Sequence, residues 1–301
     1  MHENFDVRVL LRSPAKEACL PKALHAHIVF GDLLDSNSLQ LACSGVDTIL
    51  HLAGTAHVNS HAEQDLGNDA NLAGSKNLIE AAIEQGVKRM IFLSSSLAAA
   101  AEVNSGDVTA YGRAKRAVEI KLLEAARQGQ LASTILRPVN VYGMGMKGNI
   151  AGMIALIHRG ILPRLPRLSS RISLVGVEDV VSAILLAVNA NQDARIYTVT
   201  DGQAYSITAI EEAIYQALNK RLPRWRTPSV VLYAGAMLAG LMAKILGRTS
   251  SISSRTYRNL TTDNLFSNDE VCTELGFEPS HNLYEVLPQI VEEIAGNIAK
   301  A

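Results

Sequence analysis

Val87-Lys-Arg-Met-Ile-Phe-Leu-Ser-Ser-Ser96 is the stretch that decides how this chain folds. Its centre, Met90 to Leu93, is apolar at every position, so a strand here is covered on both faces, as the strands of a parallel sheet are. The same character recurs on either side. Val7-Arg-Val-Leu-Leu11, His27-Ile-Val-Phe30, Thr48-Ile-Leu-His-Leu52 and Ser133-Thr-Ile-Leu136 read as further short strands. Between them, Asn71 to Gln85 and Tyr111 to Arg127 repeat apolar residues at the helical period, and Gly86 and Gly129 stand where such helices close. Alternation of this kind predicts an α/β fold with a doubly wound, Rossmann-like parallel sheet, whose ligands lie beyond the carboxyl ends of the strands.

Composition narrows the field. With 301 residues, 48% hydrophobic and 19% charged, the chain buries a core of one large or two modest domains. A formal charge of −1 gives no electrostatic reason for a nucleic-acid partner. Cys19, Cys43 and Cys272 show neither metal-ligand nor disulfide spacing, so no metal and a reducing, cytoplasmic setting are expected. Met1-His-Glu-Asn-Phe-Asp6 has no basic or apolar segment from which a signal peptide could be read.

Chemistry enters with Thr109-Ala-Tyr-Gly-Arg-Ala-Lys-Arg116. Tyr111 and Lys115 stand one helical turn apart on a shared face, where a lysine ammonium favours the ionised phenol. Bringing a tyrosine from about 10 to neutrality takes roughly 4 kcal/mol, of which one lysine supplies part. A phenol tuned in this way is a general acid/base for a carbinol.

Six ordered segments carry a resemblance to the extended short-chain dehydrogenase/reductase family, the nucleotide-sugar epimerases and dehydratases. Gly31-Asp-Leu-Leu-Asp35 is similar to the family's adenine-contacting turn, which implies cofactor contacts for Asp32 and Leu33. His51-Leu-Ala-Gly54 resembles the loop that passes the cofactor's pyrophosphate and ribose, which brings in Leu52, Ala53 and Gly54. Asn71 resembles the helix-start asparagine. Val87 to Ser96 resembles the strand that delivers the catalytic serine; counted from the strand this is Ser95, with Ser94 and Ser96 as alternatives. Tyr111 and Lys115 follow, then Leu136-Arg-Pro-Val-Asn-Val-Tyr-Gly143, which implies cofactor contact at Pro138 and substrate contact at Asn140. The resemblance implies NAD or NADP as cofactor and a Ser95, Tyr111, Lys115 triad. In that triad the lysine also holds ribose hydroxyls, and Ser96 joins Ser95 on the substrate. His51 reads as a core histidine bonded to backbone.

Members of that family open with a strand and a Gly-x-x-Gly-x-x-Gly turn that cradles the pyrophosphate. This sequence has no such turn, and its first residues resemble the end of the family's first helix and its second strand, as though about 20 residues were cut away. The absent strand would be central, and its loss would cost more than a domain's ~5–15 kcal/mol margin. Met1 is therefore expected to be an internal methionine, the alternative being a natural chain in which another segment fills the gap. In the second strand Leu11 stands where NAD-preferring relatives place a carboxylate; Arg12 beside it suits a 2′-phosphate, which favours NADP with NAD as the alternative.

The remainder says less. Tyr142-Gly-Met-Gly-Met-Lys-Gly-Asn149 resembles the Gly-Pro-Gly-x-Lys-Gly-Asn loop of bacterial UDP-N-acetylhexosamine epimerases and implies substrate contact at Asn149. Arg171-Ile-Ser-Leu-Val-Gly-Val-Glu-Asp179 resembles the strand whose arginine holds the substrate diphosphate, but Ile172 occupies that position and Arg171 precedes it on the opposite face. Arg164 and Arg167, in a proline-containing loop, are candidates to compensate. Residues 230–243 carry no charge and are too short to span a membrane; a packed helix is expected, with contact to a membrane surface or a partner as the alternative. Val286 to Ile298 reads as a closing amphipathic helix.

The domains expected are residues 1–145, with 171–200 returning, as the dinucleotide-binding domain, and 146–170 with 201–301 as a small C-terminal substrate lobe. The function expected is epimerisation at C4 of a UDP-hexose or UDP-N-acetylhexosamine. The alternatives are a reductase or dehydrogenase of an apolar alcohol and a non-catalytic nucleotide-binding relic. By resemblance, two copies pair through the tyrosine-bearing helix and its predecessor.

Overall fold

A computed structural model describes residues 5–54, 61–102, 108–231, 233–235, 237 and 261–300. The chain divides into two units, Met1–Leu136 with Asn191–Ile196, and Arg137–Ala190 with Tyr197–Ala301.

In the first unit β1 (Val9–Leu11) pairs in parallel with β2 (Ile28–Phe30). After α1 (Ser36–Cys43), capped by the Asp35 carboxylate on the Asn37 amide, comes β3 (Thr48–His51). Next follow α2 (His61–Glu84), β4 (Arg89–Leu93), α3 (Ser96–Glu102), α4 (Ala110–Arg127) and β5 (Ala132–Pro138). β3, β4 and β5 pair in parallel in that order, and β8 (Arg195–Val199) follows β5. The apolar runs predicted as strands are the strands. Met90 and Phe92 of β4 are fully buried with Leu39 of α1, Ile79 of α2, Leu122 of α4 and Ile135 of β5. Gly86 and Gly129 take positive φ just past α2 and α4, where a left-handed residue ends a helix without steric cost.

Two features depart from the even pattern. β1 and β2 form a sheet of their own, so β1 and β3 each keep a ladder edge that no strand among the described residues pairs. The second is a correction: Asn71 is not at a helix start but is the eleventh residue of α2, which begins at His61. Residues 61–70 are mostly polar and show no apolar period; good helix formers such as Ala62, Glu63 and Gln64 let the helix run there without a stripe to announce it.

The second unit has β6 (Asn140–Tyr142), α5 (Asn149–His158), β7 (Arg171–Gly176) and α6 (Val177–Asn189). These are followed by β9 (Ala204–Ser206), α7 (Ile207–Ala217), α8 (Asp269–Leu275) and α9 (Leu283–Lys300). β7 lies between β6, parallel to it, and β9, antiparallel. Ile154, Leu174, Ile210, Ile214, Leu287 and Ile290 form its core. Inside it the Asp201 carboxylate accepts from Gln203 N (2.9 Å) and Tyr205 OH (2.6 Å), and burial raises its pKa. Of the apolar stretch 230–243, residues 232, 236 and 238–243 lie outside the described residues. Val230 (75%), Val231 (55%), Tyr233 (48%) and Met237 (47%) are exposed. Among the described residues no helix is long and apolar enough to cross a membrane.

Gly74 of α2 lets Leu33 approach: a Cβ there would stand 2.7 Å from that of Leu33. Gly74→Ala should therefore lower the midpoint of thermal unfolding, because overpacking of about 1–3 kcal/mol outweighs the gain of about 1 kcal/mol in helix propensity.

Candidate active site

The carboxyl end of β4 is held by one face of α4. Thr109 caps that helix, its hydroxyl accepting from the Gly112 amide at 2.8 Å. Gly112 is pressed on the first turn of α3: a Cβ there would lie 2.4 Å from the Leu97 carbonyl oxygen, closer than any side chain tolerates. One turn on, the Lys115 ammonium donates to the Leu93 carbonyl at 2.9 Å. One turn further, Glu119, fully buried, accepts from the Ser94 hydroxyl at 2.6 Å and from Arg116 at 3.1 Å, and Arg116 continues to Glu102 at 2.9 Å. A buried carboxylate is costly unless paired, and Arg116 and Ser94 satisfy this one. Ser95, the expected catalytic serine, accepts from the Leu97 amide at 3.2 Å, and Ser96 opens α3. Packing of Gly112 on Leu97 thus brings the Ser95 turn to the start of the helix that carries Tyr111.

Electrostatics at the pair differ from the expectation. The Lys115 ammonium lies 4.6 Å from the centre of the Phe92 ring and 5.9 Å from that of Tyr111, its hydrogen bond going to backbone. Burial raises the Tyr111 phenol rather than letting the lysine lower it. Burial also depresses Lys115 to about 8, against an opposing pull from Glu119. Near neutrality the pair is therefore a phenol beside an ammonium.

His51, at the end of β3, stacks on Phe92 with ring centres 5.3 Å apart. Its Nε2 meets the Ser75 hydroxyl at 2.8 Å, and that hydroxyl donates to the Asn71 carbonyl at 2.7 Å. The serine's proton being spent, Nε2–H of His51 is the donor. Burial, helped by the Lys115 charge, lowers His51 to about 3, so it is neutral and joins β3 to α2. Its partner is a side chain, not backbone.

Ala53, Asn71, Ser75, Tyr111, Lys115 and Val118 line one narrow cleft of about 10 Å³. Residues 55–60 and 103–107, which adjoin it in sequence, lie outside the described residues. Gly54 borders the ammonium: a Cβ there would stand 3.5 Å from Lys115 Nζ. Leu52 is half exposed. Asp32 turns its carboxylate to the Leu34 amide (2.9 Å), Leu33 accepts through its carbonyl from Asn77 (3.0 Å), and Arg12 is exposed just after β1. Pro138 is buried at the end of β5. In the second unit Asn140 is exposed on β6, Asn149 is exposed at the first position of α5, and Arg171 is exposed at the start of β7 in register with Ser206.

The sequence model of the NAD dependent epimerase/dehydratase family matches residues 1–200. The chain belongs to this family. It is 28% identical over 277 residues to UDP-glucose 4-epimerase of Vibrio cholerae, covering 87% of this chain and 81% of that protein. Over 272 residues it is 24% identical to N-acetyl-alpha-D-glucosaminyl-diphospho-ditrans,octacis-undecaprenol 4-epimerase of Escherichia coli O157:H7, covering 87% of this chain and 82% of that one. The fold matches that of Thermus thermophilus UDP-glucose 4-epimerase, solved in complex with NAD, with a TM-score of 0.70 at 21% identity over 96% of this chain and 91% of the other.

As an enzyme of this family the chain uses NAD or NADP; the cleft, at about 10 Å³, has room for little more than a water, but the side chains on it suit the ribose and nicotinamide end of such a cofactor. An ammonium gives more than one hydrogen bond, so Lys115 keeps protons beyond the one spent on Leu93, and bare backbone at Gly54 leaves them room. Lys115, Tyr111, Ala53 and Gly54 would hold that end. Gly143, Gly145 and Gly148 have Gly-x-Gly-x-x-Gly spacing ahead of α5, but the Gly145 amide is already taken by the Glu293 carboxylate at 2.8 Å. Glu119 and Ser75 escaped the reading of the sequence, although each is the i+4 partner of a residue singled out there, Lys115 and Asn71.

Lys115→Met should stabilise the fold by about 2 kcal/mol below pH 8: the drop of the lysine to about 8 is worth about 3 kcal/mol, and loss of one hydrogen bond takes back about 1 kcal/mol. Because the unfolded chain binds the proton up to 10.5 and the native state only to about 8, the advantage is full below pH 8 and vanishes by pH 10.5. Thermal unfolding of both proteins across that window measures it.

Proposed function

We propose that this enzyme inverts C4 of a hexose carried on a diphosphate, with a UDP-hexose or UDP-N-acetylhexosamine as substrate. The observation that carries this reading is Tyr111 and Lys115 on one cleft, with the Lys115 ammonium on the carboxyl end of β4 and Gly112 packed on Leu97, two residues after Ser95. Its support among relatives is the Vibrio cholerae epimerase, which matches most of both chains.

Tyr111 moves the proton of the C4 hydroxyl. Burial keeps its phenol protonated near neutral pH, so it stands ready to donate to a carbonyl oxygen, and it accepts a proton only when a nearby positive charge stabilises the phenolate. The Lys115 ammonium, retained below about pH 8, is one such charge, although it does not by itself outweigh burial. Ser95 donates to the same sugar oxygen and orients it. Bound NAD or NADP supplies reversible hydride acceptance and return at the carbinol carbon. Glu119, through Ser94 and Arg116, keeps the strand end in place while the sugar turns.

A second reading has a specific observation behind it. Val230, Val231, Tyr233 and Met237 expose apolar surface, and the Escherichia coli relative is named for an undecaprenol-linked sugar. On this reading the diphosphate is carried on a polyprenol and the chemistry at Tyr111 is the same.

Incubation with NAD and each UDP-sugar should give the C4 epimer, read by NMR of the anomeric proton. Turnover of a polyprenyl-diphosphate sugar alone favours the second reading; turnover of neither rejects both. Tyr111→Phe should lower kcat about 10²–10⁴-fold and leave dinucleotide affinity within a few fold. Unchanged kcat in that variant removes Tyr111 from its role.

A further inference from the structure

We infer that the second unit docks on a membrane surface rich in anionic lipid, through the exposed apolar side chains of Leu222, Trp225, Val230, Val231, Tyr233 and Met237. The base of this surface is fixed to the fold. Lys220 donates to the Ile157 carbonyl at 3.0 Å, near the end of α5, and the Pro223 carbonyl accepts from Arg164 at 2.9 Å. Arg226 donates to Glu212 at 2.8 Å and to the Leu165 carbonyl at 3.1 Å, and the Thr227 amide donates to the Arg164 carbonyl at 2.9 Å. Pinned on both sides, the loop holds Leu222 and Trp225 outward: Thr227 is buried, whereas Trp225, the chain's one tryptophan, is 66% exposed. Helical residues follow at 229–231, 233–235 and 237.

These helical side chains do not pack inward. Val230, Val231, Tyr233 and Met237 are between 47% and 75% exposed. At about 3.6 residues per turn they spread over roughly half of the helix circumference, wider than the stripe with which a helix packs on a protein. A groove on a partner covers one such stripe, whereas the boundary of headgroups and acyl chains takes up a broader apolar face. The sequence supplies the charge. From Ala213 to Thr262 it has eight Lys or Arg and no Asp or Glu, in a chain whose total is −1. Among these, Arg221 and Arg224 are exposed beside Leu222 and Trp225. Basic groups next to an uncharged apolar run, with a tryptophan and a tyrosine between them, match the layers of a lipid surface: anionic headgroups outside, acyl chains beneath, amphipathic rings at the boundary. Nucleic acid would answer the charge and the rings but leave the aliphatic side chains in water. The run at 230–243 is too short to span, so it lies in the surface rather than through it. The surface belongs wholly to the second unit and does not rest on the reaction proposed for Tyr111.

Flotation of the whole chain with phosphatidylcholine vesicles containing about one-third phosphatidylglycerol, read together with Trp225 emission, tests the inference. Expected are recovery with the vesicles, a blue shift as Trp225 leaves water, and binding about tenfold or more weaker to phosphatidylcholine alone or at high salt. Arg221→Gln with Arg224→Gln should weaken binding to the anionic vesicles about tenfold or more. Val230→Ser with Met237→Ser should remove both the blue shift and the flotation. Both variants should keep the unfolding midpoint, because these side chains are exposed. Retention in solution at about millimolar anionic lipid overturns the inference, as do equal binding to neutral vesicles and wild-type binding in either variant. Lipid-free self-association that is lost in Val230→Ser with Met237→Ser makes a second copy of the chain the occupant and likewise overturns it. None of these vesicles carries a sugar, so failure here leaves the epimerase reading standing.

Discussion

The hydrogen bond from the Lys115 ammonium to the Leu93 carbonyl is the constraint on which the active-site geometry depends. A buried cation must find acceptors, and the end of a strand, where a carbonyl has left the ladder, provides one. With Gly112 against Leu97 one turn before and Glu119 on Ser94 one turn after, α4 can lie along the strand end in one register only. That register sets Tyr111 at the Ser95 turn.

The arrangement costs stability and supplies chemistry. Burying Lys115 drops its pKa to about 8, which leaves the ammonium charged at neutral pH but held in a setting where little solvent screens it. The same burial keeps Tyr111 protonated. His51 contributes by being neutral: its ring packs on Phe92, its proton goes to Ser75, and it joins β3 to α2 without adding a second charge beside the lysine. Proton chemistry at this site therefore rests on one phenol and one ammonium, with the surrounding polar groups engaged in holding position.

Legibility in the sequence follows burial. β3, β4 and β5 and the α4 helix can be read because apolar runs and a helical stripe are what a two-faced sheet demands, and Tyr111 and Lys115 stand out by their spacing. The beginning of α2 cannot, since residues 61–70 carry helix-forming but unpatterned side chains. The Tyr111 shift runs opposite to the expectation because spacing along a helix says which groups are neighbours, not which acceptor a flexible ammonium prefers. Glu119 has the look of a surface charge in the sequence although it is buried. Arg164 and Arg167 are visible as a pair, whereas Arg226, some 60 residues on, joins Arg164 through Glu212 and bonds to the Leu165 carbonyl, which no local pattern links.

Titration of Lys115 itself is the most direct test. In protein carrying ¹³C at the lysine ε-carbon, the Lys115 resonance, assigned by its absence in a Lys115→Arg variant, should titrate near pH 8, well below the solvated lysines. A midpoint above 10, together with theirs, would mean that the ammonium is in water, that it does not hold the end of β4, and that the active-site geometry described here is wrong.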